Sequence, residues 1–380
     1  MPRATLRVEV ADTVLEWAIR RGRLPESKRP AWVRLKKKPT FKQLEAFARL
    51  THTPLAYLFL DKPPDERLPL ADMRMGHMAG QNPSAELLDT VYLCQQRQEW
   101  YRAYAEDEGL EPVALVGCAR LEDNPEDAAS DIRERIGLGH QPGLSTRSWH
   151  EAFSKLRDLL ERCGVLVMAS SVAADTKRKL DPVEFRGFVL SDKLAPLVFV
   201  NRADWRAAQI FTLAHEIAHL ALSRTALTDA EPVGSHRPID TIQIERWCNR
   251  AASAILLPRQ SFESEFNPSS NLIDECRRLA GLFRVSAFVV LRRALELNLI
   301  SEEEYSKTRN GLRAFVENAR PEVILKAEQR VITRVGKRFA SAVVTDTLAG
   351  NTRFTEAFRL LGVKRAPDLF KIAQKLGLPM

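Results

Sequence analysis

The stretch FTLAHEIAHL, residues 211–220, places His215, Glu216 and His219 in the pattern H-E-x-x-H. Residues four apart on a helix are separated by about 400° of rotation, so the two histidines project from nearly one face, a turn apart. Two imidazoles so placed can fill two corners of a zinc tetrahedron, with Zn–N bonds of about 2.0–2.1 Å. Glu216 falls on the neighbouring azimuth, where a carboxylate can take a proton from an attacking water and return it to a leaving amine. With 7 histidines in 380 residues, this pattern arises by chance in roughly one per cent of such sequences.

A catalytic zinc needs a third protein ligand and one open position. Asp229, Glu231, His236, Asp240 and Glu245 are the downstream candidates. The first four lie in or beside TDAEPVGSHRPID, where His236 is the best-suited loop ligand and also a candidate oxyanion partner. Glu245 instead falls on the predicted helix IDTIQIERWCNRAASAILLP, whose Ile242, Ala252, Ile255 and Leu256 imply packing against the first helix. A packed helix holds a carboxylate more rigidly than a loop does.

The elements that must carry these residues follow from apolar periodicity. Three short β-branched runs, CGVLVMASSV, RGFVLS and APLVFVN, read as strands. After Asn201 the period becomes helical, with Trp205, Ala208, Phe211, Leu213, Ala214, Ile217 and Leu220 forming an apolar face along 203–223. The H-E-x-x-H is therefore expected on a helix that follows a strand. Further helices are predicted over 8–22, from Thr40 as N-cap through TFKQLEAFARLTH, and over 84–116, 124–137, 148–163, 239–257, 270–284, 286–297 and most of 302–379. Helices, then a few strands, then helices predict an α+β fold, mainly helical, with a small sheet; the strand runs before the H-E-x-x-H helix would suit a zincin-like sheet. The proline-rich LDKPPDERLPLADMR, residues 60–74, marks a boundary, giving regions 1–75, 76–300 and 301–380.

The bulk composition is that of an ordinary globular chain, 45% hydrophobic and 28% charged. No apolar run reaches the eighteen or so residues of a membrane span, and MPRATLRVEV has no apolar stretch like a secretory signal, so a cytoplasmic protein without a membrane partner is expected. Five cysteines without a CxxC pair read as reduced, mostly buried thiols. Between Arg20 and Lys42 ten basic residues stand against one acidic residue, Glu26, so this window holds +9 of a net +8. Arg34, Lys36, Lys37 and Lys38 are its candidate contacts to nucleic acid or to an acidic partner.

FTLAHEIAHL followed by ERWCNRAASAILLP resembles the signature of the ImmA/IrrE family of zinc metallo-endopeptidases, in which H-E-x-x-H precedes E-x-x-A-N-x-F-A-A-x-L-L-x-P. FRGFVLSD, APLVFVNR and LAGLFRVSAFVVLRRALELNLI extend the likeness over about residues 150–300, with Cys248 for the usual Ala and Ala251 for a frequent Phe. The resemblance implies one Zn2+ per chain held by His215, His219 and Glu245, with Glu216 as general base. It also implies a protein substrate of the repressor or antitoxin type, cleaved in a stress, mobile-element or defence circuit. The alternative is a noncatalytic DNA-associated regulator using the same scaffold, and a homodimer is a candidate assembly.

Members of this family often follow an Xre-type helix-turn-helix. LEWAIRRG and PTFKQLEAFARLTHTPLAYLFLDKPP resemble its ends, but only RLPESKRPAWVRLKKK, residues 23–38, lies between them. Two helices and a turn hardly fit there, which predicts a truncated form. In the tail, TEAFRLLGVKRAPDLFKIA is compatible with a helix-turn-helix, although plain helical packing is the favoured expectation.

Overall fold

The computed structural model describes residues 7–66, 83–173, 178–228, 239–313 and 327–378. The chain divides into two compact units, one of Met1–Pro69 and Gly80–Val91 and the other of Leu70–Ala79 and Tyr92–Met380.

In the smaller unit α1 (Asp12–Arg21), α2 (Ala31–Arg34) and α3 (Phe41–Leu50) are joined by short turns. Helix α3 starts where the sequence predicts: the Thr40 hydroxyl accepts from the Gln43 amide at 3.3 Å, and Gln43 Oε1 accepts from the Thr40 amide at 2.8 Å. This reciprocal capping box satisfies two amides that a helix start otherwise leaves without partners. Val14, Trp17, Leu44, Phe47 and Leu58 form the buried core, with Trp32 edge-on to Phe47 at 5.3 Å. Residues 23–38 hold a three-residue 3-10 turn, Glu26–Lys28, and the four-residue α2. A helix of four residues is about 6 Å long, too short to serve as a groove-reading element.

The larger unit takes the part of α4 (Ala85–Asp107) from Tyr92 onward, followed by α5 (Pro125–Arg135) and α6 (Trp149–Arg162). Next come β1 (Leu166–Ser170), β2 (Gly187–Leu190), β3 (Leu197–Asn201), α7 (Arg206–Ala221), β4 (Ala226–Thr228) and α8 (Ile239–Leu256). Then α9 (Arg259–Glu265), α10 (Leu272–Phe283), α11 (Ala287–Glu296), α12 (Glu302–Arg313), α13 (Ala327–Val335), α14 (Lys337–Leu348), α15 (Phe354–Leu361) and α16 (Ala366–Leu376) complete it.

The four strands form one mixed sheet in the order β1-β3-β2-β4, with β1 and β3 parallel and the other pairings antiparallel. Every residue of β1, β2 and β3 is buried, which explains their continuous apolar runs: both faces are covered. Phe188 and Phe199 face each other across β2 and β3 and stack at 5.0 Å. The α+β architecture and the strand-then-helix order match the sequence prediction. Among the described elements of the larger unit two escaped it, β4 and α9, because three and seven residues are too few to show a period.

The C-terminal helices pack inward. Helix α13 lies against β1 and α14 against α6. Buried Arg97 and Arg157 and half-buried Arg334 stitch helix ends in this layer: Arg97 Nε donates to Leu360 O at 2.9 Å, Arg157 Nη1 to Thr333 O at 2.7 Å and Arg334 Nη2 to Leu361 O at 2.8 Å. Leu360, Leu361, Leu369 and Ile372 of α15 and α16 are buried, as plain helical packing requires. All five cysteines are free, and Cys94, Cys248 and Cys276 are buried. Among the described residues no helix is long and apolar enough to cross a membrane.

Candidate metal centre

Helix α7 inherits its starting point from the turn after β3. Asn201 Nδ2 donates to Phe185 O at 3.0 Å, and Gln209 Nε2 reaches back to Asp204 O at 2.7 Å and Arg202 O at 3.2 Å. The helix is rich in Ala, Leu and Ile and free of Gly and Pro, which favours helix throughout. Its partner α8 packs along it, and Ala251, Ala252 and Ile255 of α8 share one fully buried core with Ala214, Ile217 and Ala218 of α7. Small residues on both sides let the backbones approach closely, and the carboxylate of Glu245 then reaches over the histidines.

Glu245 Oε2 lies 3.3 Å from His215 Nε2, Glu245 Oε1 lies 3.4 Å from His219 Nε2, and the two Nε2 atoms are 3.0 Å apart. His215, Glu216 and His219 are 2%, 0% and 1% exposed, so water screens none of them appreciably. Three acceptor atoms converging in a buried place repel one another unless a cation or a proton sits among them. Tetrahedral zinc with nitrogen ligands at its usual distance would set them about 3.4 Å apart, close to the spacing seen. The donor set, two imidazoles and a carboxylate, is also a preferred one for a catalytic zinc. The residues therefore fit the metal.

The electrostatics show how strongly the three are coupled. Burial opposes the charged form of His215, yet the hydrogen bond to Glu245 and the charges of Glu245 and Glu216 outweigh it and raise its pKa above the usual histidine value. At His219 burial wins and the pKa falls. For Glu245 burial acts upward, but hydrogen bonds from both histidines hold the carboxyl well below its ordinary range. Burial, with Glu245 and Glu216 nearby, pushes the Cys248 thiol far up.

Of the residues singled out from sequence, His215, Glu216, His219 and Glu245 come together on α7 and α8. Asp240 lies exposed in the first turn of α8. Asp229, Glu231 and His236 fall outside the described residues. Arg34, Lys36, Lys37 and Lys38 are exposed on the smaller unit, where Lys38 pairs with Glu9 at 3.0 Å.

Two further residues shape the site. Asn249, one helical turn after Glu245, bears on His215 and favours its charged form; its i+4 spacing from Glu245 was the available signal. Gly187 of β2 lies directly beside the general-base candidate: a Cβ there would stand 3.0 Å from Glu216 Oε1, 2.6 Å from Thr212 Cγ2 and 2.8 Å from Phe199 O. Gly187→Ala is expected to destabilise the fold by about 1–3 kcal/mol in urea denaturation. Gly281→Ala on α10 meets nothing within 4 Å and is the control, expected to be neutral or slightly stabilising.

An H-E-x-x-H helix crossed by a second helix that supplies a glutamate, beside a small mixed sheet, is the architecture of a metallopeptidase core. Residues 160–295 match the family described as the IrrE N-terminal-like domain of peptidase family M78. Residues 160–295 thus carry the IrrE N-terminal-like domain that the sequence signature implied. Residues 335–375 match a domain of unknown function, DUF8813. No curated protein matches the chain.

Proposed function

We propose that this protein is a zinc-dependent endopeptidase that cuts a regulatory protein. The convergence of His215, His219 and Glu245 within 4.8 Å of one another, with Glu216 buried beside them, is the observation that carries the reading. Zinc held by His215, His219 and Glu245 would supply Lewis acidity toward a carbonyl oxygen and a water. Glu216 takes the proton from the attacking water and delivers it to the leaving amine. Gly187 leaves the space in which that carboxylate sits. Asn249 and the clasp of Glu245 hold His215 in place.

The sheet supports an extended substrate. Strand β4 is at the edge of the order β1-β3-β2-β4, and its Thr228 is the register partner of Gly187, beside Glu216. A peptide added as a strand along β4 would place a backbone carbonyl one strand spacing, about 4.8 Å, from β4, which itself pairs with the strand that bears Gly187. The regulatory nature of the substrate rests on the family resemblance. Incubation with candidate repressor or antitoxin-like proteins tests it: cleavage by the wild type and none by Glu216→Gln is expected, and a regulatory effect that survives this substitution would instead support a noncatalytic regulator.

Protons compete with the metal for His215. Because its pKa lies above the usual histidine value, zinc affinity is expected to fall steadily as pH drops through and below that range, and to level off at higher pH, where the imidazole is neutral. Chelator competition across pH measures this; an affinity independent of pH would exclude His215 as a ligand.

A further inference from the structure

A cavity of about 1300 Å³ opens in the larger unit, walled by the end of β1, the start of α7, helix α13 and the turn between α15 and α16. Its lining carries eight cationic and three acidic side chains, so its character is strongly positive. Two of the three acids are already engaged, Asp204 by Arg186 at 3.4 Å and Asp368 by Arg365 at 3.5 Å. Lys179, Arg202, Arg206, Arg330, Lys364 and Lys371 make no ion pair with any described residue. Among the acids of the described lining, Glu328 is the one left to balance these six cations.

Like charges gathered without counter-charges cost free energy, most of all where water is scarce. Arg202 is in this situation: burial, and then the neighbouring charges of Arg206 and Arg157, lower its pKa to about 10. Arg206 is lowered as well, by burial. A bound anion relieves such an arrangement by pairing the half-buried charges of Arg202 and Arg206.

Helix α7 adds to the field: its N-cap Trp205 and first residue Arg206 line the cavity, and its start has no side-chain cap. Uncapped amides at a helix start donate hydrogen bonds and carry the positive end of the helix dipole, which suits phosphate oxygens. The forked guanidinium groups of Arg202 and Arg206 match the same geometry.

We propose that this cavity binds a phosphate-bearing small molecule of nucleotide size, and that the C-terminal domain of unknown function supplies one of its walls. The volume is somewhat above that of ordinary small-molecule sites and is bounded by helices on several sides. The site is separate from the metal centre: Arg206 opens α7 and His215 lies nine residues further on, roughly 13 Å along the helix.

Calorimetric titration of the full-length zinc-loaded protein with inorganic pyrophosphate, a nucleoside triphosphate and single-stranded dT10 tests the proposal. Phosphates also ligate zinc, so the deciding readout is the change on substitution at the cavity. Lys364→Glu combined with Lys371→Glu alters two surface side chains and should leave the fold intact; Arg202→Gln probes a half-buried one. Pyrophosphate or the triphosphate is expected to bind the wild type and to lose at least about tenfold in affinity in both variants. Tighter binding of the triphosphate than of pyrophosphate would assign a role to its base and sugar; equal binding would assign recognition to the phosphates alone. Either supports the proposal. No binding of either probe at millimolar concentration, affinities unchanged by the substitutions, or binding of dT10 alone would overturn it.

Discussion

Glu216→Gln is expected to retain about one equivalent of zinc and to lose cleavage by about 10²–10⁴-fold in kcat, the usual contribution of a positioned general base. The substitution is isosteric, so the buried site keeps its packing, and the amide it introduces donates or accepts hydrogen bonds without being a base. The metal ligands are untouched. Substrate affinity should change little, because the lost interaction belongs to proton transfer and not to binding. Single-turnover cleavage, together with elemental analysis of the same preparation, separates the two effects. A variant that loses zinc along with activity would move Glu216 from base to ligand; one that cleaves at the wild-type rate would remove it from the chemistry.

Glu245→Ala is expected to have the opposite signature, losing zinc first and activity as a consequence. The carboxylate bridges both histidines at 3.3 and 3.4 Å and is the single negative ligand of the three. Loss of even an outer partner of a metal site costs about 10–100-fold in affinity, so loss of a ligand should cost at least about a hundredfold. The pKa of His215 should fall as well, since the hydrogen bond and charge that oppose burial are removed. Histidine NMR titration in the metal-free variant measures that directly. The histidine pair without its carboxylate should then bind zinc only weakly, and added zinc at high concentration should restore part of the cleavage.

The parts of the site that were legible in the sequence are those written locally. His215 and His219 are one turn apart, and the apolar face around them fixes their helix. Glu245 was legible because the apolar residues of α8 imply that it packs on α7, which then brings the carboxylate to the histidines. Gly187 was not, since its role is a contact between β2 and α7, far apart in sequence, and a glycine in a short apolar run gives no sign of what stands against it. Strand β4 escaped for want of length, although it forms the edge nearest the site. The cationic cavity was hidden for a different reason. Its arginines and lysines come from segments spread between Lys179 and Lys371, each unremarkable in its own stretch of chain, whereas the conspicuous basic block near Lys36–Lys38 lies on the other unit.

In the smaller unit, available space alone decides what the chain can form. Thr40 and the apolar spacing of α3 were sufficient to place that helix and its cap. The segment 23–38, with two prolines, yields only single turns, because each proline removes an amide donor and biases the preceding residue away from helix.

Zinc content measured on purified protein, side by side for the wild type, Glu216→Gln and Glu245→Ala, tests the central claim most directly. About one equivalent per chain in the first two and a loss of most of it in the third is the expected result. Less than about half an equivalent in the wild type, unchanged on substituting Glu245, would contradict the assignment of His215, His219 and Glu245 as a metal centre.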